Sequence, residues 1–141
     1  MTLSRSEQIL TAFAAAAVGT SGLGNRIYRD REQAIARGEM PALVIEPGTE
    51  TDDILTTTET ITSHLVINAD LFINGAPLST VADPIRVALH SRIMTNATLL
   101  ALVISIYPQS REWEPEVRDL GAVRIRYIAT YRNNLVDLTL P

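Results

Sequence analysis

The sequence predicts an α+β domain in two layers, a mixed and mainly antiparallel sheet with two main helices packed on one of its faces. Three observations predict it. Two stretches, 61–73 and 121–132, alternate apolar and polar residues with period two, the mark of a strand with one face on a core. Two others, 4–18 and 78–95, repeat apolar residues every three or four positions, as amphipathic helices do. These elements follow one another with short breaks, without an internal repeat or a low-complexity linker. One sheet and one helical layer therefore take them all.

The chain has 141 residues. A chain of this size buries about two thirds of the surface its unfolded form exposes, so one core needs no disulfide or metal staple. Residues 1–133 are expected to form the single domain and 134–141 a C-terminal arm.

Each element has a local reason. Ser4, with Glu7 three residues later, makes a capping box for the helix over 4–18. Ile9, Phe13, Ala16 and Ala17 fall on one face, and Gly19 sits where a left-handed cap would end the helix. Residues 20–25 have loop composition, and 26–29 form a short extended piece. Asp30 is expected to cap a short polar helix over 30–37, stopped by Gly38. Residues 42–46 read as a strand. Pro47-Gly48 supplies the residue types of a type II turn, so the chain is expected to reverse there. An acidic loop follows at 49–53.

Residues 55–74 form the long β region. From Ile61 to Ile73 the odd positions face one way, against Thr62, His64, Asn68 and Asp70. Val66 and Phe72 break the polar face, which points to contact with another subunit. In the helix over 78–95, Val81, Ile85, Leu89 and Ile93 step by four. Asp83-Pro84 reads either as an N-cap with proline at the first position or as proline within the first turns. Residues 99–107 and 112–117 are expected as separate strands. In 121–132, Val123, Ile125, Tyr127, Ala129 and Tyr131 lie on one face, and Arg124, Arg126 and Arg132 on the other. Residues 135–140 alternate weakly, as a free arm or an added edge strand.

Composition removes whole classes of chemistry. There is no cysteine, so disulfides, thiolate metal sites and thiol nucleophiles are out. All twelve basic residues are arginine. Without lysine there is no Schiff-base nucleophile and no P-loop lysine. Arginine-only usage suits interfaces, where a planar fork binds carboxylates two-handed; it is equally what a GC-rich codon bias produces. The net charge of -4 argues against gripping nucleic acid by its phosphates. No apolar run approaches the roughly 20 residues of a spanning helix, and the start lacks the pattern of a secretory signal. The chain is expected to be made in the cytoplasm and not to enter a membrane.

Candidate chemistry is sparse. His64 and His90 lack metal-ligand spacing and read as structural. Glu112, Glu114 and Glu116 alternate along a strand, and a solvated edge explains them without catalysis. Glu46, Glu50, Asp52 and Asp53 lack the order of a calcium loop. Gly19, Gly22 and Gly24 follow a helix, where a dinucleotide site needs a strand. No catalytic, cofactor or metal residues are assigned, and the chain reads as a non-enzyme.

Three stretches carry a resemblance. The first runs from Asn25-Arg26-Ile27-Tyr28-Arg29 through Arg31-Glu32-Gln33-Ala34-Ile35-Ala36-Arg37-Gly38-Glu39 to Met40-Pro41-Ala42-Leu43-Val44-Ile45. The second is Ala82-Asp83-Pro84-Ile85, continuing to Leu89-His90 and Ile93-Met94. The third is Trp113-Glu114 with Val123-Arg124-Ile125-Arg126-Tyr127 and Tyr131-Arg132. Together, over roughly residues 5–133, they resemble the tail terminator (tail completion, minor tail protein U-like) family of long-tailed bacteriophages. The resemblance implies a six-fold ring in the virion, at the head-proximal end of the tail tube. Such a ring stops tube growth, meets the head connector and lets DNA through its lumen without binding it. It implies no catalytic residues and no cofactor. A head–tail joining adaptor or a small non-catalytic binding module is the alternative.

A cyclic ring joins two different patches of each subunit. The expected patches are the arginines Arg124, Arg126 and Arg132 and the acidic Glu50, Asp52 and Asp53, with the arginines pairing to carboxylates of a neighbouring subunit.

Overall fold

The computed structural model describes residues 2–53, 60–117 and 120–141, and only the backbone of 115–117. Along the chain run α1 (Arg5–Ala17), β1 (Ile27–Arg29), β2 (Ala42–Asp53), β3 (Thr60–Asn74), α2 (Leu78–Met94), α3 (Ala97–Leu102), β4 (Ser105–Val117) and β5 (Leu120–Asn134). The strands form one sheet in the order β1-β2-β3-β5-β4. Only β1 and β2 pair in parallel; the other neighbours are antiparallel. The fold is thus α+β with a mixed, mainly antiparallel sheet, as the periodicities require.

The β3–β5 ladder is continuous, from Thr60 opposite Asn134 to Asn74 opposite Leu120. Odd positions of both strands face the helices. Leu65, Ile67, Ala69, Leu71 and Ile73 meet Val123, Ile125, Tyr127, Ala129 and Tyr131 in one buried cluster with Ile9, Phe13, Ile85, Leu89, Ile93 and Leu99 of the helices. Tyr127 is the hinge of this contact. Phe13 of α1 meets its ring edge-on at 5.3 Å, and His90 of α2 accepts or donates a hydrogen bond at its hydroxyl, 3.1 Å away. Burial pushes the Tyr127 phenol up to about 12.

Both ends of α1 are tied. Ser4 Oγ accepts from the Glu7 N–H, which is half of the expected capping box. The Glu7 carboxylate leaves the box and takes Arg29 of β1 instead, at 2.8 and 3.2 Å. The Arg29 guanidinium holds the Glu7 carboxyl below the usual range. The Arg5 N–H donates to Leu138 O and Gln8 Nε2 to Thr139 O, so residues 135–140 turn back onto the helix start. They form no strand and lie against α1. At the other end, Arg92 of α2 donates to Ala16 O and Val18 O, satisfying carbonyls that a helix end leaves open. Gly19 follows with φ +90, the left-handed geometry expected of it.

Four local expectations are corrected. Residues 30–37 form no helix; only a single 3-10 turn, Arg37–Glu39, appears, and Asp30 itself has φ +49. A bidentate Arg31–Glu39 pair at 2.7 and 3.0 Å holds this segment in its own compact shape. Pro47-Gly48 does not reverse the chain. β2 runs straight through, with a register shift between Pro47 and Glu50, and the expected acidic loop is strand. Gly48 is needed for space: a Cβ there would stand 2.9 Å from Val66 Cγ1. The first residues of the strand expected at 99–107 are instead helix, in α3, because Asn96 caps it through the Leu99 N–H and Leu99 reaches the core. The expected strands at 99–107 and 112–117 are one strand, β4, beginning at Ser105. Pro84 lies inside α2, the second of the two readings. The expected β residues 55–59 lie outside the described residues.

The core has a polar end. Ser63 and Tyr131 are fully buried and Asn133 nearly so. Ser63 donates to Asp52 at 2.5 Å, and the Tyr131 hydroxyl donates to Glu50. Burial, and secondarily the charge of Asp52, raise the Glu50 carboxyl above the usual range. A raised carboxyl adds stability below its unfolded value and loses it as pH climbs through the folded one.

Two predictions follow from this packing. Leu89→Ala removes a fully buried side chain at the helix–sheet contact and is expected to cost about 2–5 kcal/mol by denaturant unfolding. Glu50→Gln keeps a carbonyl acceptor for Tyr131 and removes the disfavoured charge. In dilute monomer it is expected to raise the unfolding midpoint at pH 7, by less than about 1 kcal/mol at this half-open site. The gain should shrink to nothing once pH falls below the ordinary carboxylate range, where the carboxyl is neutral in the folded and the unfolded chain alike; a gain that persists there contradicts the account.

Candidate assembly surface

Because odd positions of β3 and β5 go to the helices, even positions form the opposite face of the sheet. Among the described residues no helix covers it, but at its β1 end the 31–40 segment lies over it, where Arg31, Ala34, Ile35 and Met40 line a concavity with Val44, Glu46, Asp70 and Phe72. Two rows of apolar side chains lie on this face: Ala42, Phe72 and Ala122 stand level near the covered end, and a more open row crosses the middle. Gly48 packs on Val66, Val66 stands opposite Ile128, and Ile128 stands opposite Tyr107. Tyr107 is 48% exposed at the β4 end of this row.

Ion pairs flank the open row on one side and a histidine-centred hydrogen-bond bridge on the other. Toward β1, Arg124 grips Asp70 with two bonds, Nε to Oδ1 at 2.7 Å and Nη2 to Oδ2 at 3.0 Å. The Asp70 side chain is 13% exposed, so this pair is the best shielded of the face. The bond to Asp70 holds the Arg124 guanidinium above its ordinary value, with Glu46 and Glu112 adding to it. Beside it, Arg126 donates to Glu112 at 2.7 Å. On the other flank, His64 bridges Thr130 at 3.0 Å and Asp53 at 2.8 Å. An apolar centre inside a polar rim is how protein interfaces are built.

The six residues expected at an interface divide between two faces. Arg124, Arg126, Arg132 and Asp53 share the outer face. Glu50 and Asp52 lie on the helix side, bonded to Tyr131 and Ser63. Arg124 and Arg126 take carboxylates of their own chain, Asp70 and Glu112, where a neighbour's had been expected. Arg132 is exposed and has no ion pair among the described residues. Asp70 and Glu112 stand on period-two polar positions, and what marks them as partners is strand register, which one sequence does not carry. Tyr107 was hidden because its stretch read as a buried strand; its neighbours on β5 decide its face.

A second concavity lies on the helix side between α2 and β4. It has a volume of about 250 Å³ and is lined by Arg86, Val87, His90, Pro108, Arg111 and Tyr127. Arg86 stacks near Trp113 at 5.9 Å. Among the described residues, no group of three or more histidine or acidic side chains is arranged to hold a metal. Among the described residues no helix is long and apolar enough to cross a membrane.

The sequence matches no protein-family model and no curated protein. In fold, the chain is similar to a chain of the virion of a native gene transfer agent (GTA) particle. The TM-score is 0.51 at 12% identity, over 92% of this chain and 92% of that one. The likeness covers nearly the whole of both chains and is one of fold.

Proposed function

We propose that the chain is a structural subunit of a phage-like virion and that its place is the tail terminator. In this reading six copies form a ring at the head-proximal end of the tail tube, stop its growth and offer a surface to the head–tail connector. The carrying observation is the part of the outer sheet face that the 31–40 segment leaves open, with the Val66–Ile128–Tyr107 row between polar and charged pairs. The fold shared with a virion chain supports the same reading. A sheet face with an apolar row is costly to leave in water, and a subunit buries it against the next component. The chemistry of the lumen also fits: a chain of net charge -4 without lysine has little hold on DNA moving through it. The role needs no catalytic group.

Removal of the chain from an assembling virion tests the proposal. Over-long tail tubes in electron micrographs are the expected result. Tails of normal length that fail to join heads would overturn the terminator role in favour of a joining adaptor. Tyr107→Asp places a charge at the end of the apolar row without touching the core. It is expected to abolish complementation of the deletion while leaving the circular dichroism and unfolding midpoint of the purified chain unchanged.

A further inference from the structure

The sheet has two open margins. One is β4, which pairs with β5 on one side only. The other is the second half of β2. β1 covers β2 from Leu43 to Ile45, and residues 47–53 have no backbone partner on that side among the described residues. All of 47–53 except Gly48 are exposed. A long open edge with apolar side chains pairs with other chains unless something covers it. β4 is such an edge, with Tyr107 and the 42% exposed Trp113 on its two faces.

The margins carry opposite, unmatched charges on the same side of the sheet. Arg111 stands opposite Ile125 and so faces the helix side. It is exposed and has no hydrogen bond or ion pair among the described residues. Glu50 and Asp52, also on the helix side, bond only to the hydroxyls of Tyr131 and Ser63 and to no cation.

We infer that β4 of one copy pairs with residues 47–53 of β2 in the next, Arg111 meeting Glu50 and Asp52, so that one sheet runs from subunit to subunit. The inference deepens the ring reading above and rests on it. Strand direction allows it. Three successive antiparallel steps lead from β2 to β3, β5 and β4, so β4 runs opposite to β2. Head-to-tail repetition preserves both direction and face, and the junction is then an antiparallel pair with the helices all on one side.

Register allows it as well. Arg111 lies level with Ile125, Ala69 and Ile45, where β1 already occupies β2. Glu50 lies level with Leu65, four residues along β3 from Ala69. A stagger of four residues, about 13 Å, therefore brings Arg111 to the free half of β2. An even offset keeps the charges on one face. A stagger between neighbours is also what a sheet closed around an axis requires.

Charge exchange tests the pairing. Arg111→Glu and Asp52→Arg, each alone, should weaken self-association at least tenfold in sedimentation or native mass spectrometry, with dichroism unchanged. The double variant should recover it. Because the chain has no cysteine, a variant carrying Arg111→Cys and Asp52→Cys gives an independent readout. Oxidation should produce a ladder of covalently linked copies that thiol collapses. Full assembly by Arg111→Glu, no recovery in the folded double variant, or no ladder from an oxidised assembly each overturn the pairing. If Arg111→Glu still complements the deletion while Tyr107→Asp does not, the virion role stands and this junction falls. If the wild-type chain never self-associates, alone or on tubes, both fall.

Discussion

The parity of the β3–β5 ladder governs this molecule. Every residue of β3 has a partner on β5, and side chains alternate, so one choice of register assigns all of them to a face. A slip by one residue would send Tyr127 and Tyr131 outward and bring Arg124 and Arg126 under the helices, leaving charges buried without partners. The observed register puts the aromatic rings beneath α1 and α2, where Phe13 and His90 hold Tyr127. The bidentate Arg124–Asp70 pair, which exists only in this register, supports it from the other face.

The same parity creates the surface proposed for assembly. Filling the helix side with large apolar residues leaves the outer side to charged pairs, an apolar row under the 31–40 segment and the open Val66–Ile128–Tyr107 row. The helices shield one face only and the 31–40 segment covers just one end of the other, so the sheet keeps an open stretch of face and two free margins. In an isolated protein these are liabilities. In a subunit they are the places where neighbours attach. The exposed acidic half of β2 and the unpaired Arg111 of β4 follow from sheet order, since β1 is only three residues long and covers only part of β2.

Much of this was legible before any coordinates. Odd positions from Ser63 to Ile73 and from Val123 to Tyr131 are buried as their alternation requires. Ser4, Gly19 and the Leu89–Ile93 stripe behave as their types and spacing dictate. The failures share one cause, a choice between local signals that only tertiary contacts settle. Pro47-Gly48 has turn chemistry, but β3 pairs with β2 on both sides of it, so it becomes an irregularity within the strand, and Gly48 serves close packing on Val66. Residues 99–103 are apolar enough for strand or helix, and the Asn96 cap with Leu99 in the core decides for helix. Asp30 has capping chemistry, yet the helix fails because Arg31 finds Glu39. At the candidate surface, the arginine face was readable from period two. Its partners were not, because Asp70 and Glu112 are distant in sequence and meet Arg124 and Arg126 only through register.

The central claim is that this fold is completed by copies of itself around an axis. Electron cryomicroscopy of the virion component containing the chain tests this most directly. The account predicts a closed ring of six copies around the tube opening, with continuous sheet density between β4 of each copy and the 47–53 half of β2 in the next. A single copy, or a ring whose neighbours touch through the helices while both sheet margins stay bare, would contradict it.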